Sequence, residues 1–79
     1  MDIFYINLKP QENGDNEMHR SGCKHLANNT NRYYVGLFGT CNEAIKEAKK
    51  AFPQSNGCIH CCKSCHSVKV RVDIKATVG

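Results

Sequence analysis

Four cysteines and two histidines lie within ten consecutive positions, GCIHCCKSCH, at residues 57–66. Cysteine thiolates and neutral imidazoles are typical zinc ligands, and a gap of two residues lets both thiolates of one turn reach the same ion. Cys58 and Cys61 have that gap, and so do Cys62 and Cys65. The segment therefore predicts half of a tetrahedral metal site, in either of two overlapping registers.

The other half of such a site has to come from an earlier part of the chain. His19 and Cys23, with three residues between them, offer one imidazole and one thiolate. Asp15 and Glu17 are close enough in sequence to orient the imidazole, although an ordinary polar loop is the better explanation for them. Because structural zinc sites take four ligands, we expect one zinc ion held by His19, Cys23, Cys58 and Cys61.

The surplus thiols leave several alternatives open. Cys62, Cys65 and His66 could supply the ligands in the second register, bind a second ion with His25 or Cys41, or enter a disulfide. Cys41 also begins a predicted helix, where the helix dipole lowers the pKa of a thiol. Burial of Cys41 against the sheet is the simpler interpretation, since unpaired cysteines are often buried.

Chain length and the pattern of apolar residues narrow the class of protein. A chain of 79 residues is long enough for one small domain, which buries only ~60% of the surface that its unfolded form exposes and often needs metal or disulfides. The sequence begins without a basic and apolar leader, and it has no apolar run of the ~18 residues that a membrane helix requires. We therefore expect a cytoplasmic domain with no membrane partner, whose cysteines favour metal over disulfides.

The predicted secondary structure separates the two halves of the site. DIFYINL (2–8) and YYVGLFG (33–39) are rich in β-branched and aromatic residues and predict strands, and Gly36 indicates either a bulge or a close approach of another group to the backbone. SVKVRVDIKATV (67–78) alternates apolar and charged residues and predicts a third strand. The polar stretch at 11–17 predicts a loop.

One segment carries a clear helix signature. TCNEAIKEAKKAFP (40–53) opens with Thr40 and Glu43 at capping-box spacing and ends at Pro53. Together, these elements predict an α+β domain with a small antiparallel sheet of about three strands and one helix. A Cys/His zinc site would join segments that a strand and this helix separate.

The order of these features resembles the N-terminal zinc-binding domain of the Ada-type DNA repair methyltransferases. That domain has Cys-x-x-x-Cys, an asparagine before an aromatic strand, a short helix with alanines, and Cys-x-x-Cys. The resemblance covers roughly half of the chain. The chain also resembles a group of small uncharacterised bacterial proteins with an NGD-x-x-x-H-x-x-x-C start and a GC-x-x-C-x-x-x-CH end. The counterparts of the Ada-type features are His19-x-x-x-Cys23, Asn31 before residues 33–38, the helix start at Glu43 and Ala44, and Cys58-x-x-Cys61.

The resemblance implies a zinc ion and an association with nucleic acid, but one departure affects the chemistry. In the Ada-type domain the first cysteine is the zinc-bound thiolate that accepts a methyl group, and His19 stands at that position here. An imidazole is not an equivalent nucleophile, so we expect a non-catalytic module. Its candidate phosphate contacts are Lys24, Arg32, Lys63, Lys69 and Arg71.

A second function stays open beside this one. The adjacent Cys61 and Cys62, with more thiols than one zinc ion needs, favour a thiol redox or metal-handling protein. The formal charge of +4 is compatible with nucleic-acid binding and also with an ordinary solvated surface. Paired carboxylates in a motif and a glycine-rich phosphate loop are both missing from the sequence, so we expect a monomeric binding protein rather than a hydrolytic enzyme.

Overall fold

The computed structural model describes residues 1–68 as one four-stranded sheet with a helix on one face. The α+β class predicted from the sequence is therefore confirmed. The strands are β1 (Asp2–Asn7), β2 (Asn16–Arg20), β3 (Arg32–Phe38) and β4 (Ser55–Gly57); the helix is α1 (Cys41–Ala51), and a 3-10 turn spans Lys63–Cys65.

The sheet has the order β3-β1-β2-β4. β1 is antiparallel to both β2 and β3, whereas β2 and β4 run parallel. The strand predicted at 2–8 is β1, one of the two interior strands, and the one predicted at 33–39 is β3, at one edge. The structure adds two strands to these: β2 begins inside the predicted loop at 11–17, and β4 has only three residues. Residues 69–78 of the third predicted strand lie outside the described residues.

A β-bulge sets the register between β1 and β3. Phe4 pairs with Gly36, but the next residue of β1, Tyr5, pairs with Tyr34, so Val35 is an extra residue in β3. Gly36 has a φ of +146°, a conformation that side-chain-bearing residues rarely adopt. The bulge predicted at Gly36 is therefore confirmed.

The helix forms where its capping residues predict it. Thr40 is the N-cap, and its Oγ1 accepts a hydrogen bond of 3.2 Å from the backbone N–H of Glu43. Such a cap contributes about 1 kcal/mol, because it satisfies a donor that the helix leaves free. Phe52 closes the other end, one residue before Pro53.

The core lies between α1 and one face of the sheet. It is formed by Phe4 and Ile6 of β1, Met18 of β2, and Ala44 and Ala48 of α1, all of them fully buried or nearly so. Because alternate residues of a strand point to opposite faces, their strand neighbours belong to the other face of the sheet.

The connection between β2 and β3 runs along that other face. It passes from one end of β1, where the N–H of Ser21 bonds to the carbonyl of Ile3, to the other end, where Leu8 bonds to Asn31. On the way, the N–H of Ala27 donates to Oδ1 of Asn7 at 2.8 Å. This path brings residue 23 over the sheet.

Candidate metal centre

Four side chains meet on the sheet face opposite α1: His19, Cys23, Cys58 and Cys61. Their ligand atoms all lie within 4.8 Å of one another, and the cluster could hold a metal ion. Sulfurs at the Zn–S distance of ~2.3 Å from one ion lie ~3.8 Å apart in a tetrahedron. Cys61 Sγ lies 3.8 Å from Nδ1 of His19, so their spacing is close to that of two ligands of one ion.

Strand β2, the turn after it and its pairing with β4 determine where the side chains of His19, Cys23 and Cys58 lie. His19 is in β2 and is fully buried, on the face opposite its neighbour Met18. β4 pairs with β2, and the N–H of Cys58, just after β4, donates to the carbonyl of Met18 at 2.9 Å. Cys23 follows β2 in a turn closed by its own N–H and the carbonyl of Arg20 at 3.1 Å. The short parallel pair β2–β4 is therefore what brings the distant Cys58 to His19.

Backbone N–H groups point at the sulfurs of Cys58 and Cys61, one from the turn itself and one from β2. The N–H of His60 lies 3.3 Å from Cys58 Sγ, and the N–H of Arg20 lies 3.2 Å from Cys61 Sγ. Hydrogen bonds of this kind favour the thiolate over the neutral thiol. The side chain of Arg20 also donates from Nε to the carbonyl of Cys61 at 2.7 Å, which attaches the turn to β2.

The imidazole of His19 is oriented by its second nitrogen. Nε2 lies 3.2 Å from Glu17 Oε1 and 3.1 Å from Asn7 Nδ2. We assign the proton to Nε2, where it bonds to the carboxylate, and this leaves the lone pair of Nδ1 directed at the sulfurs. A carboxylate behind a metal-binding histidine fixes its tautomer and increases its basicity. Glu17 therefore contacts the imidazole directly, on the side away from the sulfurs.

Burial affects the protonation of two members of the cluster. Burial lowers the pKa of His19, against the opposing charge of Glu17, which favours the neutral imidazole that metals bind. Burial also raises the pKa of the Cys61 thiol well above its ordinary value. A bound cation would reverse that effect, because a coordinated thiol is deprotonated. Metal binding is therefore expected to release protons.

Glu17→Gln is expected to weaken metal binding by about 10- to 100-fold, because the amide cannot fully replace the charge behind His19. The measurement is a competition titration against a chromophoric chelator. Glu47→Gln is the matched control, since Glu47 is an exposed residue of α1 paired only with Lys50 in the described structure. Equal affinities for the two variants would show that Glu17 does not support the site.

The remaining cysteines have other partners. Cys41, at the start of α1, forms a disulfide with Cys65 of the 3-10 turn. Cys62 is 1% exposed and belongs to the hydrophobic core, and burial raises the pKa of its thiol. Cys62 and Cys65, the two cysteines of the second register, therefore do not converge on one site: Cys62 lies in the core and Cys65 is bonded to Cys41. Of the alternatives that the sequence leaves open, disulfide formation is the one found for Cys65.

Other polar residues near the site have structural contacts of their own. Asp15 is buried and accepts hydrogen bonds from the side chains of Asn13 and Asn56 at 3.3 Å. His25 and His60 are exposed, and their rings stack at 4.6 Å beside the cluster. Sequence reasoning missed Asn7, which holds the segment over the sheet: its Oδ1 accepts from the N–H of Ala27 and its Nδ2 donates to the carbonyl of His25. An outward-facing polar residue in a strand has no distinctive sequence signal.

No family model, curated protein or solved structure matches this chain. The likeness to the Ada-type domain therefore stays a prediction from the sequence. Within residues 1–68, none of the helical segments has the length and apolar character needed to cross a bilayer.

Proposed function

We propose that the chain is a non-catalytic zinc-binding module that associates with nucleic acid. The observation that carries the zinc site is the convergence of four donor atoms from β2, the turn after it and the turn after β4, all within 4.8 Å of one another. His19, Cys23, Cys58 and Cys61 are the proposed ligands. They join parts of the chain that are far apart in sequence.

The donor set favours zinc in a structural role. Three thiolates and one imidazole are soft to borderline ligands, which suit zinc better than magnesium or calcium. Structural zinc sites are closed by four protein ligands, whereas catalytic sites keep one position for water or substrate. Since four side chains converge here, the site supports stabilisation of the fold rather than catalysis.

The nucleic-acid part of the proposal depends on exposed positive charge. Lys24 and Lys63 are exposed and Arg32 is half-buried, while Lys69 and Arg71 lie outside the described residues. Each lysine or arginine that neutralises a phosphate releases counterions from the nucleic acid, so the affinity falls more steeply as the salt concentration increases. Affinity for an oligonucleotide that did not fall between low and moderate salt would contradict this part of the proposal.

Native mass spectrometry is expected to show a monomer with one zinc ion, which a strong chelator removes. Replacing zinc by cobalt is expected to give the thiolate-to-metal charge-transfer band of a tetrahedral sulfur-rich site. The thermal unfolding temperature should fall on chelation and recover when zinc is added back. A protein that keeps the same unfolding temperature with and without metal would contradict a structural zinc site.

A thiol redox function is the second candidate, and the Cys41–Cys65 disulfide favours it. Against it, burial raises the thiol pKa values of Cys61 and Cys62, whereas reactive cysteines have lowered ones. Alkylation at neutral pH separates the two functions. A zinc module should resist labelling until a chelator is added, but a redox protein should be labelled at several cysteines at once.

A further inference from the structure

The sheet face opposite α1 is divided into two halves. The metal cluster covers the part formed by β2 and β4, and the segment held by Asn7 contacts β1 at Asn7, the last residue of that strand. The half formed by β1 and β3 carries a group of mainly apolar and aromatic side chains that we call the aromatic face. It consists of Ile3, Tyr5, Arg32, Tyr34 and Leu37.

Strand register places these residues together. Tyr5 pairs with Tyr34, and Ile3 pairs with Leu37, so each pair shares one side of the sheet. The rings of Tyr5 and Tyr34 meet edge to face, with centroids 5.9 Å apart. Tyr34 is 58% exposed and Leu37 is 52% exposed, so the ring of Tyr34 and the methyl groups of Leu37 face solvent, whereas Ile3 and Tyr5 are half-buried.

The aromatic face also carries positive charge. The guanidinium of Arg32 lies 4.3 Å from the centroid of the Tyr5 ring and makes a cation–π contact with it. Among residues 1–68, no ion pair neutralises Arg32. Glu17, an acidic residue on the same side of the sheet, is turned toward His19. The five residues of the aromatic face therefore carry one positive charge and no negative one, which suits contact with a phosphate.

We propose that the aromatic face binds single-stranded nucleic acid, with a base stacked on Tyr34, whose ring packs against Tyr5, and a phosphate paired with Arg32. The inference rests on the proposed association with nucleic acid and specifies its form. Stacking of a base on an aromatic side chain contributes about 1–3 kcal/mol and needs no particular sequence. A duplex hides its base faces and is read by elements that enter its grooves, whereas this surface is a sheet with few cations.

The test is fluorescence anisotropy of the metal-loaded full chain with a labelled oligothymidine of about 12 nucleotides, near the site sizes of single-strand binders. We expect Tyr34→Ala to weaken binding by about 5- to 150-fold, the range that corresponds to one lost stack. Tyr34→Phe should retain binding, because stacking does not need the hydroxyl. Arg32→Ala should lower the salt dependence by about one phosphate contact.

Tyr33→Ala is the matched control. Tyr33 is the adjacent residue of β3 and is 42% exposed, but its ring packs on Phe52 at 5.0 Å, on the α1 side of the sheet. We expect the Tyr33→Ala variant to bind the oligonucleotide with the same affinity as the unchanged protein. Equal losses in the Tyr33 and Tyr34 variants, or tighter binding of duplex than of single strand, would overturn the inference. So would a dimer that depends on Tyr34, because a second copy would then occupy the face.

Two measurements distinguish failure of this inference from failure of the proposed function: the zinc content of the protein and its binding of nucleic acid through residues outside the aromatic face. If the zinc-loaded protein bound nucleic acid through Lys24 and Lys63 but was insensitive to Tyr34, the proposed function would stand and the aromatic face would not be the site. If the zinc-loaded protein bound neither single strands nor duplex, both the inference and the proposed nucleic-acid association would fail, and only the zinc module would be left.

Discussion

Cys58→Ala is expected to abolish tight zinc binding and, with it, the cooperative unfolding of the domain. Structural zinc contributes roughly 10–16 kcal/mol of apparent binding free energy in small zinc-dependent folds. That is as large as the whole stability of a typical domain, about 5–15 kcal/mol. Loss of one of four ligands therefore leaves too little free energy to order a chain of 79 residues. Circular dichroism and native mass spectrometry of the variant would measure both effects.

Cys62→Ala is the matched control for this change. Cys58 and Cys62 are each 1% exposed and belong to the same cysteine-rich segment, so both substitutions remove one buried sulfur. Cys62 lies in the hydrophobic core, where its loss should cost only about 1 kcal/mol and leave zinc bound. The two variants therefore differ in ligation and hardly at all in volume.

The opposite result would assign the metal to the other register. If Cys62→Ala lost zinc while Cys58→Ala kept it, the geometry of the four-residue cluster would be wrong. Unfolding of both variants with zinc still bound by each would show that packing of this segment, and not ligation, limits stability.

The sequence predicts the metal-capable residues better than it predicts the sheet that positions them. Ligand spacing is a local property, so Cys58-x-x-Cys61 and His19-x-x-x-Cys23 are visible without any knowledge of the fold. The strand at 2–8 and the helix after Thr40 are visible for the same reason. Each has a local pattern of apolar residues or a cap.

The missed features depend on contacts between distant residues. β4 has three residues, Ser55–Gly57, too few for any periodicity, and it forms because β2 offers it a parallel partner. The choice between Cys61 and Cys62 depends on which sulfur faces the cluster and which faces the core, and two adjacent cysteines look alike in sequence. The pairing of Cys41 with Cys65 across 24 positions has no local signal either.

Reduction of the Cys41–Cys65 disulfide is expected to lower the free energy of unfolding by about 3 kcal/mol, with a fall in unfolding temperature of roughly 15 °C. The physical reason is that the crosslink closes a loop with a sequence separation of 24 and so lowers the conformational entropy of the unfolded chain. Reduced protein keeps both side chains, so the comparison isolates the crosslink from packing. A phosphine is the suitable reductant, because it does not compete strongly for zinc as thiols do.

The double variant C41A/C65A controls for other effects of the phosphine, since its unfolding temperature should not respond to the reductant. The disulfide loop contains Cys58 and Cys61, so the crosslink and the metal stabilise the same fold. Where the metal-free chain is unfolded, the free energy needed to fold it is subtracted from the free energy of zinc binding. Reduction increases that folding cost by about 3 kcal/mol, so the apparent zinc affinity should become about 100-fold weaker. Zinc stoichiometry at saturating metal should stay the same. An unchanged unfolding temperature after complete reduction, verified by mass, would show that the crosslink does not stabilise the domain.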